Sequence, residues 1–144
     1  MNQASSPRQR LLARLAPLAL LLAAAGLHAE SITLSGGAEV PPVTTSASGS
    51  GEITVAPDRS VSGSVKVSGM SPSMAHIHAG AAGKNGQPII QLSKGAGDSF
   101  SVPAGAKLSE AQYADYMAGN LYVNVHSAQH PGGELRGQLS GKPH

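Results

Sequence analysis

Cysteine and tryptophan are absent from the 144 residues, which include only three tyrosines and one phenylalanine. Without thiols the chain can form no disulfide and offers neither a cysteine nucleophile nor a thiolate ligand. Charged residues make up only 12%, which argues against a coiled coil and against a highly charged disordered chain. The length is that of one ordinary domain, which must be stabilised by core burial and strand pairing.

The amino-terminal segment has a composition of its own. Residues 1–14 carry three arginines and no acidic residue, residues 15–27 are almost wholly leucine and alanine, and Ala29 follows closely. A basic start, a short apolar run and a final small residue predict a signal peptide over residues 1–29, cleaved to leave a single domain at 30–144. The alternative is an uncleaved membrane anchor, although the apolar run is short for a bilayer span. We therefore expect an exported protein, periplasmic or extracellular, without membrane attachment after cleavage.

The charge balance argues against a nucleic-acid partner. The whole chain has ten Lys/Arg against eight Asp/Glu, but three of the arginines belong to the predicted signal peptide. Residues 30–144 keep seven Lys/Arg against eight Asp/Glu. No basic excess remains there to neutralise phosphates.

Eighteen glycines and ten prolines divide the chain into short segments in which polar and apolar residues alternate. Such segments predict β-strands separated by turns. The strand candidates cover residues 31–35, 50–56, 61–68, 74–79, 89–92, 121–126 and 134–139. One helix is predicted to begin at Ser109, because Ser109 and Gln112 have capping-box spacing, and to end at Gly119. This pattern is typical of an all-β, antiparallel, Greek-key-like β-sandwich or barrel with one short helix.

Four histidines form two closely spaced pairs, His76 with His78 and His126 with His130. Residues i and i+2 of a strand point to the same face, so His76 and His78 can present two imidazoles to one ion. His126 ends a predicted strand and His130 lies in the following turn. If the two segments are neighbours in a sheet, up to four imidazoles converge. Met74 lies on the same face if the first of these strands extends back that far.

The four histidines predict a transition-metal site. A set of imidazoles without cysteine favours copper(II), with zinc(II) as the alternative, and a nearby methionine favours copper(I). Each ligating imidazole needs an acceptor for its other nitrogen, and Asn124, Gln129 and Glu134 are local candidates. The other interpretation is that the histidines are hydrogen-bonded groups that order the loops of a sheet without any metal.

Five segments carry a further pattern: residues 34–43, 47–51, 75–80, 121–127 and 130–139. Together they resemble the CHRD domain, a module named for its repeats in chordin and found singly in exported bacterial proteins. The last segment is long and specific, whereas the first departs from the usual pattern in having Ala38, not glutamine, before Glu39. The resemblance covers about residues 31–140 and implies an extracytoplasmic all-β domain. In chordin, these modules belong to an extracellular antagonist of a growth factor.

The His-x-His strand is also locally similar to the copper site of Cu,Zn superoxide dismutases. The absence of the cysteine pair and of the zinc-loop ligands of those enzymes argues against dismutase activity. We therefore expect a non-enzymatic CHRD-domain protein that binds copper and takes part in periplasmic or extracellular metal handling. The alternatives are a module that binds another extracytoplasmic protein or is structural, and a dismutase-like redox enzyme.

Overall fold

The computed structural model describes residues 28–142, which form nine β-strands, one α-helix and a short 3-10 turn at Gly36–Ala38. The strands are β1 (His28–Leu34), β2 (Ser48–Val55), β3 (Val61–Ser68), β4 (Pro72–Ala79), β5 (Gln87–Gln91), β6 (Ser93–Lys94), β7 (Ser99–Ser101), β8 (Leu121–Ser127) and β9 (Leu135–Leu139), and the helix is α1 (Glu110–Met117). All seven predicted strands are present. The short strands β6 and β7 were not predicted.

Residues 28–142 form two sheets. The first sheet has the strand order β1-β2-β3-β7-β6, and the second sheet has the order β5-β4-β8-β9. Every pairing between these strands is antiparallel. The sheets do not close into a barrel, so the prediction of an all-β antiparallel sandwich with one short helix is confirmed.

The core forms where the apolar sides of the two sheets meet. In β3 the buried residues Val61, Val65 and Val67 alternate with exposed ones, as expected for a strand with one face in the core. Strand β8 contributes Leu121 and other apolar residues to the same cluster. Full burial of each such side chain stabilises the fold by about 1.5–3 kcal/mol, which is how a chain without disulfides holds its sandwich together.

The predicted helix is confirmed at both ends. The Gln112 N–H donates to Ser109 Oγ at 3.1 Å, and the Ser109 N–H donates to Gln112 Oε1 at 2.8 Å. These two bonds form the capping box that satisfies backbone groups at the helix start. Gly119 follows the helix with a φ of 80°, a conformation that glycine adopts without strain. Tyr116 is fully buried and ties the helix to the core.

Strand β1 begins at His28, just before the predicted cleavage point. Ala29 pairs with Thr54 of β2, so cleavage after Ala29 would shorten β1 to its last five residues. The buried carboxylate of Glu30 accepts hydrogen bonds from the Ser140 and Gly141 N–H groups. Residues 1–27 of the predicted signal peptide lie outside the described residues, and the boundary at Ala29 remains a prediction. Within residues 28–142 we find no helix that is both long and apolar enough to cross a bilayer.

Candidate metal centre

The two strands that carry the histidine pairs are neighbours in the second sheet. In the β4–β8 ladder Met74 lies opposite His126, His76 opposite Asn124 and His78 opposite Tyr122. Because alternate residues of a strand share a face, all of these side chains lie on the outer face of the second sheet, the face turned away from the first sheet. The conditional prediction that these segments adjoin is therefore confirmed.

Three histidines bring their ring nitrogens together. His76, His78 and His126, called here the histidine cluster, each offer a nitrogen within 4.8 Å of the others. Two nitrogens bound to one ion by bonds of about 2.0–2.1 Å lie at most about 4.2 Å apart. The Nδ1 atom of His76 is 3.1 Å from Nε2 of His126, already a separation that two ligands of one ion adopt. Where a separation exceeds that limit, the rings would have to rotate to share one ion.

Two backbone carbonyls fix which nitrogen of each buried ring carries hydrogen. His78 Nδ1 lies 2.9 Å from the Gly86 carbonyl, and His126 Nδ1 lies 2.8 Å from the Pro131 carbonyl. Because a carbonyl oxygen only accepts, each Nδ1 is the donor. In the neutral rings Nε2 therefore keeps its lone pair, which is the arrangement that a metal-binding histidine needs.

The two Nε2 atoms have different surroundings. Nε2 of His78 is buried, and no group within residues 28–142 donates a hydrogen to it, although the Asn124 side chain lies close enough to raise the pKa of this ring. Because Nδ1 of His126 carries the ring hydrogen, Nε2 of this ring can only accept. It therefore accepts a hydrogen bond from Nδ1 of His76. Ligation through His76 Nδ1 would require the other tautomer of that ring, with the hydrogen moved to Nε2.

Burial favours the neutral form of His76 and His78, two rings of the cluster. It lowers the pKa of His76, and the nearby His126 and His78 rings lower that pKa further. Burial also lowers the pKa of His78, an effect that the hydrogen bond to Gly86 partly offsets. Both rings therefore titrate below the usual value of about 6.5 and have lone pairs available at neutral pH.

Tyr122 and Arg136 support the cluster from the side. The Tyr122 ring stacks on His78 with centroids 4.8 Å apart and planes 10° from parallel. Its hydroxyl accepts the Gly86 N–H at 3.1 Å, so one loop residue fixes both stacked rings. The Arg136 guanidinium, from β9 on the other side of β8, lies 3.5 Å from the Tyr122 ring centroid. Strand alternation places Tyr122 on the face of His126, but the stacking depends on sheet register, which the sequence analysis did not provide.

A family model for the CHRD domain matches residues 31–139 of the chain. The chain belongs to the CHRD family. The resemblance read from the sequence is thereby confirmed, and the match spans both sheets and the whole histidine cluster. No curated protein and no solved structure shows a significant match.

The acceptors behind the cluster of this CHRD domain differ in part from the candidates. Asn124, Gln129 and Glu134 were local candidates, but backbone carbonyls take that role at Nδ1 of His78 and of His126. Among the candidates, Asn124 forms a side-chain hydrogen bond that raises the pKa of His78. The Glu134 carboxylate instead accepts from the Ser127 hydroxyl and from the Thr45 hydroxyl, both at 2.8 Å. Glu134 therefore stabilises the turn after β8. The acceptor for the His126 ring is the Pro131 carbonyl of that turn, which no side chain in the sequence indicates.

His130 lies outside the histidine cluster of the CHRD domain, within the part of the chain described. Its N–H donates to the Ser127 hydroxyl at 3.1 Å, and its carbonyl accepts the Gly133 N–H at 3.0 Å. These bonds use the backbone of His130 to shape the turn, and its half-buried side chain borders a polar cavity near Thr44. Four histidines were predicted to meet, and the geometry brings three of them together.

Proposed function

We propose that this CHRD domain binds one transition-metal ion, copper by preference, through His76, His78 and His126. The observation that carries this proposal is the buried lone pair of His78 Nε2, to which no group within residues 28–142 donates a hydrogen. A buried acceptor left unsatisfied costs about 1–3 kcal/mol. A bound ion would remove that cost, and two further ring nitrogens lie within 4.8 Å to share it.

The donor set favours copper over most other ions. The cluster contains three imidazoles and no carboxylate or thiolate, and imidazole suits copper, zinc, nickel and iron better than magnesium or calcium. Affinity of such sites among divalent ions is highest for copper(II), and zinc(II) is the alternative. Carbonyl acceptors behind two of the rings raise their basicity and hold their orientation, which favours tight coordination.

The proposed role is reversible binding outside the cytoplasm. The amino-terminal segment has the composition of a signal peptide, and the chain belongs to a family named for an extracellular protein. Reversible coordination in that compartment suits the storage or delivery of copper, with another extracytoplasmic protein as a donor or acceptor of the ion. We propose no catalytic step, and an assay of superoxide turnover by the copper-loaded protein separates binding from the dismutase-like alternative.

The exposed residues give little support to the competing proposal, a protein-docking module without metal. A docking face is usually a contiguous apolar patch. Among residues 28–142 the exposed large apolar side chains are Met74 and Met117. Two methionines offer a partner little apolar area, whereas the histidine cluster is a formed set of donors.

Calorimetric titration with Cu(II) and with Zn(II) tests the proposal. The unmutated protein is expected to take up one ion per chain, and the His76→Ala/His78→Ala variant is expected to bind at least about 100-fold more weakly. His130→Ala is the matched control, because it removes a histidine of the same domain that lies outside the cluster. No saturable uptake by the unmutated protein, or an equal loss in the control, would contradict the proposal.

A further inference from the structure

We propose that Met74 is a fourth, thioether ligand of the histidine cluster and makes the site select copper(I). This inference rests on the proposed function. It adds a residue that lies outside the group of three histidines, and it names the oxidation state that the site holds best.

Sheet geometry places Met74 beside two members of the cluster. Met74 is the direct cross-strand partner of His126, and it precedes His76 by two residues on the same face of β4. Directly opposite residues of an antiparallel pair have Cβ atoms about 4.5–5.5 Å apart. Methionine has three rotatable bonds beyond that point, so its sulfur can approach an ion held by these rings without any movement of the backbone.

The β4–β8 ladder is irregular at this position. The register shifts between Pro72 and Met74, so that Pro72 lies opposite Ser127 and Met74 opposite His126. Such bulges are concentrated next to functional sites, where they redirect a side chain. Here the irregularity adjoins the residue that faces His126.

The exposure of Met74 is unusual for its residue type. Methionine is among the residues most often buried, yet 44% of Met74 is exposed, while its neighbours His78 and His126 are buried. An exposed methionine directly opposite His126 can offer its sulfur to an ion that enters from solvent.

Charge at the site also favours a monovalent ion. Thioether and imidazole ligands are all neutral, and the group of donors includes no carboxylate. Neutral donors compensate less of the charge of a divalent ion than of a monovalent one, and a thioether selects copper(I) among the metals that imidazole binds.

Competition against a chromophoric copper(I) chelator, under anaerobic reducing conditions, tests the proposal with a Met74→Leu variant. Leucine conserves volume and apolar character, so the fold is expected to persist. The variant is expected to bind copper(I) about tenfold more weakly or worse, with its copper(II) affinity within about twofold of the unmutated protein. Met117→Leu is the matched control, since Met117 is equally exposed and lies on α1, outside the β4–β8 ladder. X-ray absorption of the copper(I) form is expected to show a sulfur ligand that Met74→Leu lacks.

The outcomes separate this inference from the proposed function. If the unmutated protein binds neither oxidation state, the proposed function fails and Met74 loses its role with it. If the protein binds copper but Met74→Leu keeps both its copper(I) affinity and its spectrum, only the thioether proposal is overturned. Equal weakening for copper(I) and copper(II), or the same weakening in Met117→Leu, would overturn the claimed selectivity.

Discussion

The outer faces of the two sheets are built on the same alternation but differ in what covers them. In β3 of the first sheet the outward residues Ser62, Lys66 and Ser68 are exposed. In β8 of the second sheet every residue is buried, including the outward Tyr122 and His126. Both strands follow the period of two, so periodicity alone does not distinguish a solvated face from a covered one.

The buried outer face of the second sheet requires hydrogen-bond partners for its polar groups, which the exposed outer face of the first sheet does not. Buried polar groups must find partners, whereas exposed ones are satisfied by water. Loop carbonyls supply those partners in the second sheet, at Gly86 for His78, at Pro131 for His126 and at Ala81 for Arg136. Among residues 28–142, Nε2 of His78 and Oδ1 of Asn124 are buried atoms of this face that lack a geometrically formed hydrogen bond. Of the two, the ring nitrogen of His78 is the donor at which a metal ion is expected.

The largest contrast in stability is expected between the basic residues on the two outer faces. Arg136→Met removes donors to the Ala81 carbonyl and Gln138 and the stacking on Tyr122. It also removes the positive charge that partly offsets the burial by which the pKa of Glu39 is raised. We expect a loss of about 2–4 kcal/mol in the free energy of unfolding. Lys66→Met, the same change on the exposed face of β3, is expected to stay within about 0.5 kcal/mol. Urea unfolding measures both, and equal losses would show that the faces do not differ.

A smaller contrast in stability is expected between the hydroxyl hydrogen bonds to buried Glu134 and an exposed hydroxyl pair on the first sheet. Glu134 accepts from two hydroxyls that themselves accept backbone N–H groups. In Glu134→Gln the amide has only one oxygen, so one of the two hydroxyls loses the acceptor of its hydrogen. The expected cost is about 1–2 kcal/mol. Ser68→Ala breaks an exposed hydroxyl pair with Ser48 and is expected to cost less than about 0.5 kcal/mol. Thermal unfolding of the two variants measures both losses of stability. A larger loss for Ser68→Ala than for Glu134→Gln would contradict this prediction.

The smallest expected effect is a pH dependence of the free energy of unfolding. It arises on the outer face of the second sheet, because the histidine cluster lies there. The pKa values of His76 and His78 are lowered by burial in the metal-free protein. The unfolded chain therefore takes up protons first as pH falls below about 6.5, and the free energy of unfolding decreases until pH passes the folded-state pKa values. Urea midpoints between pH 8 and pH 5 measure this decrease, and His76→Ala/His78→Ala is expected to flatten it. A midpoint that rises as the pH falls through this range would contradict the lowered pKa values.

The sequence correctly predicted those elements that are determined by residues close together along the chain. The β2–β3 hairpin follows from two alternating runs separated by turn residues, and its register closes at Val55 and Val61 as that pattern requires. The helix follows from the capping box of Ser109 and Gln112. The common face of His76 and His78 follows from strand period alone. In each case the determining residues lie within a few positions of one another.

The rest depends on contacts between distant segments. Strands β6 and β7 have two and three residues, too few for a period, and β7 forms by pairing with β3. The carbonyls of Gly86 and Pro131 have no side-chain signature, so the sequence analysis assigned their role to nearby polar side chains. His130 was included by spacing, but the turn uses its backbone. The ligand candidates are therefore visible in the sequence, whereas the carbonyls that orient them are not.

Anomalous diffraction at the copper edge, from crystals of the protein loaded with one equivalent of copper, tests the central claim most directly. The account predicts a single peak on the outer face of the second sheet, about 2.0–2.1 Å from ring nitrogens of His76, His78 and His126. A peak at His130, or a peak that touches only one ring of the cluster, would contradict it.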